Sequence, residues 1–324
     1  MNWKKTGQVL ALAMCSVMAL GGCSQPTHDS TTQQTQALAE PIVIQHKLGT
    51  MTLNYHPQRV AVLDMNDVDF LDVLDVPIAG MVKDFVPDYL QKYKDNPEIQ
   101  DLGAIVQPNM ERIYSLKPDL ILMTPNQTNH YQELTKLAPT LHFDVDYGNS
   151  HGQHLDVIRQ HLLTLGKIFD KEDLAKQKLQ ELNAKVAQVY QLTQSRPEKA
   201  LIVMHNNGAF SSFGVKSRYG FVFDALGVKP ASSVEDSSLH GQPISSEFIQ
   251  QANPDILYVI DRTAVMEHRP AIDMQHLENP LLRQTKAWKT GRVVFVDADA
   301  WYVAAASPTS IQMVIDDVIK GYQP

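Results

Sequence analysis

Cysteine is almost absent. The 324 residues contain only Cys15 and Cys23, both near the start. Cleavage before Cys23 would leave a body with that one thiol. A disulfide framework, a thiolate metal site and a cysteine nucleophile are then excluded. The apolar stretch "VLALAMCSVMALGG" is too short for a spanning helix and ends in glycines. Positive charge is also in deficit, with 28 Lys and Arg against 36 Asp and Glu and a net charge of −8. Removing residues 1–22 takes Lys4 and Lys5 with it and leaves −10. An acidic body argues against nucleic acid as a partner.

What is present at the start is "MNWKK", the apolar stretch and then "LGGC". This resembles a bacterial lipoprotein signal in residues 1–22, with Cys23 as the acylated first residue of the mature chain. Such an anchor holds the protein to a membrane on the periplasmic side. Ser24 follows the cysteine where an aspartate would point to inner-membrane retention, so outer-membrane anchoring stays open. Residues 23–41 have few large apolar side chains and read as a flexible tether.

The body repeats itself. "ERIYSLKPDLI" (111–121) and "EFIQQANPDIL" (247–257) share Glu-x-Ile, then Pro-Asp and two branched aliphatics. Each reads as a short helix, a turn and a strand. The strands "LILMTP" (120–125) and "ILYVID" (256–261) are apolar on both faces, as a parallel sheet covered by helices requires. About fifty residues earlier each half opens with another strand, "RVAVLD" (59–64) and "ALIVMHN" (200–206). Between the halves, Leu155, Ile158, Leu162, Leu165 and Phe169 fall at helical spacing. Asp170 or Asp173 is then placed to cap a second helix carrying Leu179, Leu182, Val186 and Val189 on one stripe. The spacing predicts an α/β protein of two lobes, 42–169 and 196–324. One long helix, 170–195, joins them as the only link, a stiff one.

Lipobox, echo and linker together resemble the class III substrate-binding proteins of ABC importers. "FSSFGVKSRYGFVFDALGV", "SSLHGQPISSE", "NPDILYVIDR" and "VVFVDADAWY" are similar to its ferric catecholate-siderophore branch. The resemblance implies two lobes, each a mostly parallel sheet with flanking helices, and a shallow cleft between them. It implies a monomeric binding protein without catalytic activity or an intrinsic cofactor. Its cargo would be Fe³⁺ as a siderophore complex, delivered to an ABC permease dimer in the inner membrane. Haem, cobalamin or a hydroxamate siderophore are alternative cargoes within the class.

Ligands of open α/β sheets bind at strand carboxyl ends. Arg218, after the candidate N-cap Ser217, and Arg262, directly after "ILYVID", are the candidate anion-binding pair. An ion pair of Arg262 with Asp261 or Glu267 is the competing reading. The resemblance implies a third arginine after "LMTP", where this chain has Asn126 and Gln127 as candidate ligand contacts instead. Asn66 is a candidate at the cleft lip or a helix-capping neighbour, and Trp301 a candidate stacking partner. The resemblance implies two Fe³⁺ ligands: His240, in a loop that Gly241 and Pro243 hold away from regular structure, and Tyr302. A tetradentate bis-catecholate leaves two of six iron positions, which an imidazole and a phenolate would fill. The resemblance also implies one permease-docking glutamate per lobe, Glu111 and Glu247. Of the other histidines, "HGQH" (151–154) comes nearest to a zinc spacing, yet it lacks a third ligand and reads as solvated loop. A periplasmic hydrolase is the reading from another class; it has no cysteine to use, and scattered Ser, His and Asp carry no weight by presence alone.

Overall fold

The computed structural model describes residues 37–233 and 238–323. Cys23 and most of the tether, its first fourteen residues, lie outside them. Among the described residues no helix is long and apolar enough to cross a membrane.

The first half is built on a five-stranded, all-parallel sheet. Its spatial order is Gln100–Asp101, Gly80–Met81, Val60–Val62, Leu120–Met123, Thr140–His142. The strands Val60–Val62 and Leu120–Met123 are buried along their whole length, hence their unbroken aliphatic sequence. The chain runs outward from Val60–Val62 in one direction and then returns to its other side. That reversal leaves a crevice at the carboxyl ends of these two strands. An antiparallel hairpin, Ala37–His46 with Gly49–Tyr55, precedes the sheet.

The second half carries a six-stranded sheet. Lys199–Asn206, Ile256–Asp261 and Val293–Phe295 run parallel, and Lys229–Pro230 pairs parallel with the start of the first. Ala209–Phe213 and Gln242–Ile244 add an antiparallel edge. Asn207 and Gly208, both at positive φ, make the tight turn into Ala209–Phe213, a hairpin that an Asn-Gly pair specifies. Pro243 is not outside regular structure, as expected above. It sits opposite Ser211 in the edge strand, where a missing N–H costs no ladder bond. Gly241 precedes it at φ +73°, and a Cβ there would come within 2.7 Å of the Ser212 carbonyl oxygen.

The Pro-Asp echo has a physical role. Asp119 accepts the backbone N–H groups of Gln58 and Arg59, both at 2.8 Å, at the start of the neighbouring strand. Asp255 accepts that of Lys199 at 3.0 Å in the same way. Each preceding helix, Met110–Leu116 and Ser246–Ala252, ends on a left-handed residue, Lys117 or Asn253.

The halves are joined by the 23-residue helix Glu172–Gln194, preceded by His154–Ile168. Leu182, Val186 and Val189 are buried on its stripe. Neither Asp170 nor Asp173 caps it: Asp170 adopts the left-handed conformation that turns the corner, and Asp173 lies inside the first turn, where its charge suits the helix dipole. The link is not single, because the C-terminal helix Pro308–Tyr322 returns to the first half. Asp69 there accepts the Thr309 N–H at 2.8 Å, and Asn66 accepts that of Ala306 at 2.9 Å.

Candidate functional site

Tyr302 is the centre of a polar cluster on the second lobe. It sits in the π-helical turn Asp299–Val303, just past the strand Val293–Phe295. Its hydroxyl accepts from Arg262 Nε at 2.8 Å, and its carbonyl accepts from Arg218 Nη2 at 2.9 Å. Both guanidinium carbons lie over its ring, 5.4 and 5.5 Å from the centroid. The His240 ring stacks near it, centroids 6.4 Å apart and planes 29° apart. Arg218, Arg262, His240 and Tyr302, scattered over 85 positions of sequence, thus converge.

The competing reading, an ion pair of Arg262 with Asp261 or Glu267, does not hold: Arg269 engages both carboxylates, each at 3.2 Å. Arg262 instead donates to Asn206 Oδ1 at 3.2 Å. Sequence reasoning missed Asn206, although it ends the strand Lys199–Asn206 and the carboxyl-end rule points to it. Ser217 does not cap a helix at Arg218. It closes a turn between the Gly214 carbonyl and the Tyr219 N–H, and the helix begins at Gly220. Arg218 is only 7% exposed, and its Nε has no partner among the described residues. A buried cation with a free donor fits an anionic guest. Burial first, then the charges of Arg262 and Arg218, lower the pKa of His240 and keep its imidazole neutral, as a metal ligand must be.

On the first lobe the crevice holds Asp64, which caps helix Met65–Val73. It accepts from Asn66 Nδ2 at 2.8 Å, Thr124 Oγ1 at 3.0 Å and Asn126 Nδ2 at 3.3 Å. Burial, reinforced by Asp67, raises its pKa to about 6. Asn126 is exposed although its amide donates to Asp64.

Three expectations are corrected. Gln127 is fully buried and donates to the Leu63 and Ile105 carbonyls, closing a capping box with Thr124. Asn66 is fully buried too, its amide consumed by Asp64, Tyr147 and the Ala306 N–H. Trp301 has no exposed surface; its indole donates to Asp317 at 3.0 Å between Tyr219 and Tyr258. None of the three presents a side chain to the cleft.

In "HGQH", His154 is not solvated. It is buried against Phe221, bonded to the Ala305 carbonyl at 2.7 Å, and its pKa is lowered to about 4, chiefly by burial. His151 points to Asp224 instead, so the two do not chelate. Among the described residues no group of three or more metal-ligating side chains forms. Sequence reasoning denied the hydrolase alternative a Gly-x-Ser-x-Gly elbow, yet residues 148–152 carry that spacing. Ser150 is buried, donates to the Ser217 carbonyl and accepts the Phe221 N–H. It follows no strand, its oxygen is occupied, and it cannot serve as a nucleophile elbow.

Glu111 and Glu247 occupy the same second position of their helices, and both are exposed.

A model of the periplasmic binding protein family matches residues 60–300. The chain is 65% identical, over 99% of both sequences, to the ferric-anguibactin-binding protein FatB of Vibrio anguillarum. It is similar to the solved siderophore-binding protein BauB bound to a complex of two acinetobactin molecules and ferric iron: 66% identity, TM-score 0.85, covering 88% of this chain and 99% of that one. It is also similar to the catecholate-siderophore-binding protein VctP of Vibrio cholerae, at 32% identity and TM-score 0.80, covering 86% of this chain and 99% of that one.

Proposed function

The chain belongs to the periplasmic binding protein family, and from that premise we propose that it captures a ferric siderophore, of catecholate type, and hands it to an ABC permease dimer in the inner membrane. The observation that carries this is the pair of arginines around Tyr302, one nearly buried with an unpartnered Nε. Two fixed cations at the mouth of two strand ends suit a bulky anion. FatB and BauB are named for ferric siderophore ligands, and VctP for catecholates. The protein acts as a binder, not a catalyst, and iron arrives as cargo. It works as a lipid-anchored monomer tethered through Cys23. Residues 42–169 and 196–324 serve as lobes on either side of the connecting segment 170–195, and Glu111 and Glu247 meet the permease.

Within this reading, His240 and Tyr302 complete the coordination of a tetradentate ferric complex. A second reading has its own support: BauB holds two siderophore molecules on one iron. Two chelators leave fewer positions for the protein, and Arg218 and Arg262 would then hold the complex without inner-sphere ligands. His240→Ala and Tyr302→Phe, titrated with tetradentate and hexadentate ferric catecholates, decide. Coordination predicts a loss of tenfold or more and a shifted charge-transfer band for the tetradentate complex only. Equal, small losses with an unmoved band assign the site to the second reading. No binding of any ferric catecholate by the unaltered protein overturns both.

A further inference from the structure

The cleft contains a second tyrosine, which sequence reasoning did not single out. Tyr147 lies in the segment between strand Thr140–His142 and helix His154–Ile168. Three residues later Ser150 bonds the carbonyl of Ser217, the neighbour of Arg218. The Tyr147 hydroxyl accepts from Asn66 Nδ2 at 3.0 Å and lies 3.5 Å from Asp64 Oδ2. It is therefore pinned to the strand ends of the first lobe, and it stands near enough to Arg218 to feel its charge. The ring is only partly covered.

The two tyrosines have opposite surroundings. The Tyr302 oxygen receives an N–H from a guanidinium and is flanked by two cations. The Tyr147 oxygen receives an N–H from a neutral amide and is backed by a carboxylate. Burial and the Asp64 charge both raise the Tyr147 pKa, so its proton stays on. Asn66 fills the acceptor side, and the O–H is donated to Asp64 Oδ2 at 3.5 Å, a bond at the long limit that a closer acceptor on a ligand can displace. Paired groups whose environments push them apart take different roles.

Resting on the ferric-siderophore reading, we propose that Tyr147 is the first-lobe contact to the bound complex. It acts as a neutral hydrogen-bond donor to a peripheral oxygen of the chelate, aimed by Asn66 and Asp64. It stands in for the arginine that the resemblance implies after "LMTP", where this chain has Asn126 and Gln127. It does not bind iron.

The test uses the mature protein and the ferric complex of a linear bis-catechol. Tyr147→Phe removes the donor and keeps the ring. The expected result is roughly tenfold weaker binding, as for a lost hydrogen bond to a charged partner, with the visible charge-transfer band unmoved. Wild-type affinity in this variant overturns the proposal, and so does a shifted band, which would make Tyr147 an iron ligand. A second measurement needs no variant. Hydroxyl-radical oxidation of the Tyr147 ring, which does not need the phenolate, is read by mass spectrometry and is expected to fall when the complex is bound; equal oxidation with and without it overturns the contact. If the unaltered protein fails to bind the complex at all, the parent reading fails instead.

Discussion

At the scale of single residues, the candidate site is proposed through resemblance to a family, and burial decides what sequence alone could not. Arg218, Arg262, His240 and Tyr302 stand out through that resemblance, because a loop arginine or histidine taken alone suits solvent as well; the structure brings the four together. Trp301 adjoins Tyr302 and Gln127 adjoins Asn126, yet the side chains of Trp301 and Gln127 turn into the core, which no local pattern reveals. Asp64 shows the cost of the polar crevice. Its carboxyl is buried, and its folded pKa of about 6 exceeds the ordinary value of 3.8. The folded state therefore holds this proton to higher pH than the unfolded chain does. The stability it contributes is complete below about pH 3.8 and is lost as pH rises through 6. Asp64→Asn abolishes that dependence. Relative to wild type, the variant is expected to gain on the order of 3 kcal/mol between pH 4 and pH 7, with little change above. Urea unfolding of both proteins at four pH values measures it, and parallel curves would contradict the assignment.

At the scale of elements, the strands and the repeated helix–turn–strand unit could be read from sequence because both faces of the strands are buried and the unit occurs twice. The edge hairpin was missed, although Asn207-Gly208 spells its turn, because the strand after it, Ala209–Phe213, is short and carries two serines instead of an apolar run. The repeat also fixes the two exposed glutamates. Glu111 follows the N-cap Asn109, and Glu247 follows the N-cap Ser245, so both stand in the first turn of equivalent helices. A carboxylate there complements the helix dipole, but that role needs no exposure on both lobes at once. Paired acidic points suit a dimeric partner with two basic sites. Reversing both, Glu111→Lys with Glu247→Lys, is expected to abolish siderophore-dependent iron uptake in cells. The affinity of the purified protein for the ferric complex should stay within about twofold. Uptake that survives the double reversal rules out docking through these residues.

At the scale of the whole molecule, the long helix suggested two lobes on one stiff connection, and the structure adds contacts that sequence could not place. They join residues more than 60 positions apart, and in two cases 240 apart. Asp69 of the first lobe caps the start of the C-terminal helix through Thr309, and Asn66 holds Ala306. His154 holds Ala305, and Ser150 bonds both Ser217 and Phe221. Lys185 of the linker reaches Asp316 of the C-terminal helix. The lobes are thus tied through a buried polar seam behind the cleft, which should make them unfold as one unit although each has its own sheet. Asp69→Ala removes a helix cap and leaves the half-buried Thr309 N–H unpaired, a loss of about 1–3 kcal/mol. Because that bond belongs to neither lobe alone, its removal should weaken the coupling as well as the sum. Wild type is expected to show one calorimetric transition. Asp69→Ala combined with Asn66→Ala is expected to melt several degrees lower and to split into two. A single transition that merely shifts would mean that the linker helix alone enforces cooperativity. Two transitions already present in wild type would mean that the seam does not couple the lobes.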